Sequence, residues 1–122
     1  MSARILVVDD IETNRRLLEA RLSAEYFEVV CAASGQECLD IAGATAPDLI
    51  LLDVMMPGLD GFATCKKLKA DAKTRHIPVV MVTANQGRRH HAYADNLGVS
   101  AYLVKPVPMI RLIETLGELM GP

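Results

Sequence analysis

Short apolar runs recur along the chain, and segments with helical spacing separate them. The runs are rich in leucine and β-branched residues and are nearly continuous rather than alternating, so they predict strands that are buried on both faces. Five such runs are present: Ile5–Val8, Glu28–Ala32, Leu49–Leu52, Ile77–Val82 and Ala101–Val104. This pattern predicts a parallel sheet that lies between two layers of helices.

The intervening segments carry apolar residues three or four positions apart, as amphipathic helices do. The clearest set is the last one, Met109, Leu112, Ile113, Leu116 and Met120; the earlier sets are Leu18 and Leu22, then Cys38, Ile41 and Ala42, then Phe62, Cys65 and Leu68. Between Gln86 and Leu97 only Tyr93 and Leu97 form a convincing apolar pair. We therefore expect this fourth helix to be the most loosely held.

The alternation of strands and helices predicts one α/β domain over residues 1–122. Its expected architecture is a doubly wound five-stranded parallel sheet with five helices and the strand order 2-1-3-4-5. In that order the first and third strands are neighbours. Ligands bind such sheets at the carboxyl ends of the strands, where the winding reverses.

Polar residues follow four of the predicted strands. Asp9 and Asp10 follow the first, Asp53 the third, Thr83 the fourth and Lys105 the fifth. An aspartate after a strand is often only a turn residue or a helix cap. Together, however, these residues favour phosphoryl chemistry, because clustered carboxylates suit Mg²⁺ and would raise at least one carboxyl pKa without it. A carboxylate, a cation and a hydroxyl can then manage the charge of a transferred phosphoryl group.

Composition narrows the choice of partners. Aromatic residues make up 4% of the 122 residues, tryptophan is absent and the net charge is −2, so neither nucleic acid nor a membrane surface is expected as a direct partner. No run approaches the roughly 18 apolar residues of a membrane span. Cys31, Cys38 and Cys65 lack Cys-x-x-Cys spacing. We expect them to be buried thiols in a reducing, cytoplasmic compartment.

Four segments in order and spacing carry a family resemblance: 5–10 (ILVVDD), 51–61 (LLDVMMPGLDG), 82–84 (VTA) and 105–106 (KP). They resemble the receiver domains of two-component response regulators, and the similarity covers essentially the whole chain. The match through 55–61 and Thr74–Pro78 is most similar to receivers that precede diguanylate cyclase domains. One departure is Gly98-Val99, where many receivers have Gly-Ala before the fifth strand; it bears on signal output more than on phosphorylation.

The resemblance implies a role for each residue at the strand ends. Asp53 would be the phospho-acceptor, while Asp9, Asp10, Asp53 and the main-chain carbonyl of Met55 would hold Mg²⁺. Lys105 would neutralise charge on the transferred group. We also expect Pro57-Gly58 to form a type II turn that folds the chain back over the pocket, and Asp60 to cap the helix that follows.

The resemblance also implies a switch. Thr83 would donate to the phosphoryl group, Tyr102 would move into the space that Thr83 leaves, and the bond before Pro106 would be cis. A sensor histidine kinase or a phosphotransfer protein would supply the phosphoryl group. The face formed by the fourth helix, fifth strand and fifth helix would then act on an output domain or partner protein, or form a homodimer on phosphorylation. Such a domain catalyses only its own aspartyl phosphorylation and dephosphorylation.

Other functions fit less well. A flavin-binding protein of this topology would need a Ser/Thr-rich phosphate loop where residues 9–12 are acidic, and a haloacid dehalogenase-type phosphatase would carry Asp-x-Asp after the first strand. A receiver used as a phosphorylation-independent interaction module remains the alternative. His90 and His91 are adjacent, so on a helix they point about 100° apart and cannot share a metal. A solvated or partner-facing role is expected for them.

Overall fold

The computed structural model describes residues 3–84 and 87–120, without the side chains of residues 88 and 89. Strands and helices alternate along the chain. In order they are β1 (Arg4–Val8), α1 (Glu12–Ala24), β2 (Glu28–Ala32), α2 (Gly35–Thr45), β3 (Leu49–Asp53), α3 (Gly61–Ala70), β4 (Val79–Thr83), α4 (Arg88–Asn96), β5 (Ala101–Val104) and α5 (Met109–Met120).

The strands form one parallel sheet in the order β2-β1-β3-β4-β5, which confirms the predicted topology. Its registers pair Val8 with Leu52 and Asp53 with Val82. The carboxyl ends of β1 and β3 are therefore side by side, with β4 on the other side of β3. This arrangement gathers the polar strand-end residues at a single edge of the sheet.

The fourth strand begins two residues later than the apolar run predicts. Ile77 is buried, but its N–H donates to the carbonyl of Thr74 at 3.0 Å, and Pro78 has no N–H to donate. The carbonyl of Pro78 still accepts from the Ile50 N–H at 3.0 Å. The apolar run therefore includes a buried turn residue before β4 begins at Val79.

Two apolar clusters cover the two faces of the sheet. One packs α2, α3 and α4 against it through residues that include Cys38, Cys65 and Ala94. The other packs α1 and α5 through residues that include Leu22 and Leu116. Because strand side chains alternate between faces, each buried strand supplies both clusters. The chain is thus an α/β sandwich with an aliphatic core.

The fourth helix contributes least to this core. Among its described side chains only Ala94 is buried, and Tyr93, which sequence spacing predicts as an anchor, is 46% exposed. Its N-cap residue is Gly87, which has no side chain to accept from the first turn, whereas Ser34 and Asp60 cap α2 and α3 by accepting from backbone N–H groups. The prediction of a loosely held helix is consistent with these observations. The predicted start at residue 86 lies outside the described residues.

The cysteines are only partly as predicted. All three are free thiols; Cys38 and Cys65 are buried, whereas Cys31 is half-buried near the Glu19 carboxylate. Burial raises the pKa of the Cys38 thiol to about 12, so this side chain acts as a small apolar group. Within residues 3–84 and 87–120, no helix has the length and apolar content to span a membrane.

Candidate functional site

Three carboxylates meet where β1 and β3 end. Asp9 and Asp53 are 3% and 6% exposed, whereas Asp10 is open to solvent. Each residue has one carboxylate oxygen that lies within 4.8 Å of the others. Three negative groups at this separation repel one another, so the arrangement is suited to a cation with oxygen ligands.

Asp9 is held by the start of α1. Its Oδ1 accepts from the Ile11 N–H at 2.9 Å, and its Oδ2 accepts from the Asn14 amide at 3.2 Å. The Arg15 guanidinium donates to the Asp9 carbonyl at 2.6 Å. Sequence reasoning missed Asn14 and Arg15; their positions one turn after the acidic pair are the signal that could have identified them.

Lys105 joins Asp9 to Asp53. Its Nζ lies 3.4 Å from Oδ2 of Asp9 and 3.5 Å from Oδ2 of Asp53, and its side chain is 33% exposed. The Lys105 N–H donates to the carbonyl of Thr83 at 2.7 Å, which continues the β4–β5 pairing beyond the strand. The ammonium therefore faces both buried carboxylates and remains accessible from outside.

The pKa of the Asp53 carboxyl is raised. Burial is the largest cause, because it disfavours the charged form, and the nearby charge of Asp9 adds to it. The Lys105 ammonium and the Met55 N–H, which donates to Oδ1 of Asp53 at 3.2 Å, act in the opposite direction. The effect of burial is larger than the effect of these two groups, so the pKa stays raised. Additional positive charge at this edge would therefore stabilise the ionised form of Asp53.

The loop between β3 and α3 packs directly against Asp53. Gly58 has a φ of +73°, as the third position of a type II turn requires, and Asp60 accepts from the Ala63 N–H at 2.8 Å. The Gly61 N–H donates to the Val54 carbonyl at 2.9 Å. A Cβ on Gly61 would lie 2.4 Å from the Asp53 carbonyl oxygen, so only glycine fits there.

Thr83 and Tyr102 lie on the same face of the sheet. The register pairs Met81 with Tyr102 and Thr83 with Val104, and side chains two positions apart on a strand share a face. Thr83 is fully buried. Tyr102 is half-buried against the cluster under α2, α3 and α4, and burial raises its phenol pKa. The two side chains therefore occupy diagonal positions on neighbouring strands.

The remaining predicted residues lie close to this edge. The Met55 side chain is 61% exposed, and the peptide bond between Lys105 and Pro106 is cis. His90 and His91 diverge on α4, as expected for adjacent helical positions: the His90 ring contacts Phe62, and the His91 ring stacks on Tyr102. Sequence reasoning missed this last contact, because it expected both histidines to face solvent or a partner.

The chain resembles known proteins along nearly its whole length. Residues 5–117 match the family model of the response regulator receiver domain. The chain is 55% identical over 119 residues to the response regulator PleD of Caulobacter vibrioides, covering 98% of this chain but only 26% of PleD. It is 36% identical over 121 residues to the polar-differentiation response regulator DivK of Brucella ovis, covering 99% of this chain and 98% of DivK.

A solved structure supports the same assignment. The chemotaxis protein CheY4 of Vibrio cholerae superimposes with a TM-score of 0.92 at 29% identity, covering 98% of this chain and 99% of CheY4. Fold, order of motifs and sequence similarity therefore agree over the same residues. The chain belongs to the family of response regulator receiver domains of two-component systems.

Proposed function

We propose that Asp53 accepts a phosphoryl group from a sensor histidine kinase or a phosphotransfer protein, in a reaction that requires Mg²⁺. The observation that carries this proposal is the position of the Lys105 ammonium, within 3.5 Å of the carboxylates of both Asp9 and Asp53. The proposal assigns residues 1–122 to one receiver domain. We also propose that the protein is located in the reducing environment of the cytoplasm, where its three cysteines would stay free thiols.

The acidic residues fit a magnesium ion. Asp9, Asp10 and Asp53 bring three carboxylates within 4.8 Å, and Mg²⁺ takes one or two protein carboxylates together with phosphate oxygens and water. The main-chain carbonyl of Met55 is the further ligand that we assign. When bound, the ion supplies charge neutralisation between the acceptor carboxylate and the incoming phosphoryl oxygens.

The side chains of the chain have distinct tasks in the transfer. An oxygen of Asp53 forms a bond to phosphorus while the bond between phosphorus and the donor nitrogen breaks, and the donor imidazole leaves with that electron pair. Asp53 must be ionised for this step. Lys105 offsets negative charge on the phosphoryl oxygens, and the Thr83 hydroxyl donates to one of them.

The approach to the site is open on one side. A cavity of about 590 Å³ lies between α1 and α5 and reaches Asp9 and Lys105. Its walls are mostly apolar and include Leu17, which is 52% exposed, and Met109. The cavity gives access to the Asp9 carboxylate and to the Lys105 ammonium, whose positive charge favours the approach of a phosphoryl group to an acidic site.

Phosphorylation would change the packing around Thr83. A phosphoryl group adds about −1.5 to −2 charges and three acceptor oxygens, so it draws the Thr83 hydroxyl toward Asp53. Tyr102, on the same face, then packs toward the space that Thr83 leaves. The surface of α4, β5 and α5 changes as a shift between two populations, limited by how much better one of them accommodates the phosphoryl group.

The output of the switch would depend on what binds the surface of α4, β5 and α5. The chain spans about a quarter of the length of PleD and nearly all of DivK. We propose that the switched surface acts on an output domain or a partner protein, with similarity to receivers of diguanylate cyclase regulators as the guide, and that phosphorylation favours a homodimer through the same face. On this view the domain catalyses only its own phosphorylation and dephosphorylation.

The test is phosphorylation by acetyl phosphate with Mg²⁺, resolved by Phos-tag electrophoresis. The wild-type protein should give a shifted band that Asp53→Asn and chelation by EDTA both abolish. Asp40→Asn is the matched control, because Asp40 is an exposed acid on α2 whose carboxylate accepts a hydrogen bond from the Gln36 amide at 3.2 Å. It should leave the shifted band unchanged.

The alternative is a receiver that binds partners without being phosphorylated. The complete acidic site with Lys105 argues against it, because a binding surface alone gains nothing from buried carboxylates that repel one another. Absence of a shifted band from acetyl phosphate, or a band that persists in Asp53→Asn, would favour this alternative.

A further inference from the structure

We infer that His91 is a positioning residue for Tyr102, and that through Tyr102 it favours the packing in which Asp53 accepts a phosphoryl group. This inference rests on the proposed function, since it concerns the regulation of the same site. It assigns a role to the part of α4 that lies against Tyr102 of β5, in addition to any role of the rest of the helix surface.

The geometry of the two rings is specific. The imidazole of His91 and the phenol ring of Tyr102 have centroids 4.8 Å apart and planes that differ by 12°. Aromatic pairs at this distance with nearly parallel planes attract each other beyond the effect of burial alone. The Tyr102 ring is half-buried against the core, whereas the His91 side chain is 58% exposed. The imidazole therefore covers the outer face of the phenol ring.

The orientation of the imidazole is supported from its own helix. The Nε2 of His91 lies 3.9 Å from Oδ1 of Asp95, one turn further along α4. Both side chains are exposed, so this contact contributes little energy, but it favours one ring orientation. On its other side α4 is held to α3, where the Phe62 ring lies 5.4 Å from the His90 ring and 4.9 Å from the Tyr93 ring.

The stack connects α4 to the proposed site through one side chain. Tyr102 and Thr83 share a face of the sheet on neighbouring strands, and Lys105 follows Tyr102 by three residues on the same strand and its extension. The stack is present with Tyr102 half-buried on the face that carries Thr83, so a ring that turns out to solvent would lose it; on this inference a ring that packs toward Thr83 keeps it. The stack and the phosphoryl group therefore stabilise the same packing, and each strengthens the other by linkage.

The experiment compares a planar with a non-planar replacement. His91→Leu keeps an apolar side chain but removes the ring, whereas His91→Phe restores a ring that can stack. In acetyl phosphate with Mg²⁺, we expect His91→Leu to lower the initial rate of Asp53 phosphorylation about three- to tenfold and His91→Phe to recover most of it. The effect of His91→Leu should vanish when Tyr102→Leu is already present.

The control is Tyr93→Leu, which removes an aromatic contact of α4 that involves Phe62 rather than Tyr102. It should alter the rate less than His91→Leu. Equal rates for wild type and His91→Leu, or an effect that persists in the Tyr102→Leu background, would overturn the inference. Failure of the wild type to be phosphorylated would overturn the proposed function instead; the stack is then judged by nuclear Overhauser effects between the two rings, whose absence would refute it.

Discussion

Lys105 and Asp53 meet across an intervening strand: the ammonium lies 3.5 Å from the carboxylate although β4 separates β5 from β3. Two strand spacings amount to roughly 9–10 Å, so the long lysine stem makes up the difference. The contact therefore depends on how β3, β4 and β5 are aligned. Any shift in β5 moves the Lys105 ammonium relative to the Asp53 carboxylate.

Replacement of Lys105 tests this relationship. Lys105→Met keeps most of the stem but removes the charge, so we expect phosphorylation of Asp53 by acetyl phosphate to slow by about 100-fold. Mg²⁺ binding, followed by isothermal titration calorimetry, should be retained or strengthened, because a competing cation is gone. Lys69→Met is the control, since the Lys69 ammonium donates to the carbonyls of Arg75 and Ile77 away from the site. A normal rate in Lys105→Met would contradict the role of the ammonium.

Mg²⁺ binding should weaken as the pH falls. The pKa of Asp53 is raised, so acid solution protonates this carboxyl at a higher pH than usual, and the proton must leave before the metal can bind. Affinity should be constant at pH values well above the raised pKa and should decline as the pH drops through it. Titration calorimetry in buffers of different ionisation enthalpy will detect the released proton.

Asp10→Asn removes the exposed carboxylate of the same cluster. We expect it to weaken Mg²⁺ binding by roughly tenfold or more, because a neutral amide replaces one of three anionic groups. Asp40→Asn provides a control of equal charge change on α2. Equal affinity in Asp10→Asn and Asp40→Asn would show that the Asp10 carboxylate does not contribute to binding of the ion.

Asp53→Asn should stabilise the fold in the absence of Mg²⁺. Because the pKa of Asp53 is raised in the folded protein, its ionised form is disfavoured there relative to the unfolded chain, and that cost is present above the raised pKa. We expect a gain on the order of 1 kcal/mol in the free energy of unfolding at pH values above the raised pKa. The gain should shrink as the pH falls through the raised pKa, since wild-type Asp53 then becomes protonated. Urea unfolding at several pH values measures it, and a destabilised variant would contradict the prediction.

Gly61→Ala tests the close packing beneath the acceptor. Its Cβ would lie 2.4 Å from the Asp53 carbonyl oxygen and 2.6 Å from the Val54 Cα, and neither backbone atom can move independently. We expect a loss of about 2–3 kcal/mol in the free energy of unfolding. Gly43→Ala is the matched control, because open space surrounds that position in α2. It should stabilise the protein by about 0.5–1 kcal/mol.

The sequence predicts most of this fold because continuous apolar runs and helical spacing follow directly from burial. The predictions fail where another contact decides the local structure. The start of β4 is displaced because Pro78 cannot donate a ladder hydrogen bond. The predicted anchor Tyr93 is largely exposed, with its ring against that of Phe62, and the neighbouring Ala94 is buried instead.

The acidic site is predictable because strand ends in a parallel sheet meet at one edge. The contacts that hold these side chains in place are harder to predict. Asn14 and Arg15 contact Asp9 through the start of α1, and the His91 ring reaches Tyr102 across the gap between helix and strand. Such contacts depend on helix orientation and side-chain rotamers, which periodicity does not specify.

The bare Cα of Gly61 against the Asp53 carbonyl has a mechanical consequence. The Gly61 N–H donates to the Val54 carbonyl, and there is no room for a Cβ between Gly61 and the Asp53 carbonyl, so the main chain beneath Asp53 is closely packed. Adjustment to a new group on Asp53 would then occur on the other side of the carboxylate, where side chains rather than main-chain atoms surround it. If Asp53 is phosphorylated as proposed, this close packing would direct the structural change away from α3 and toward the neighbouring strands.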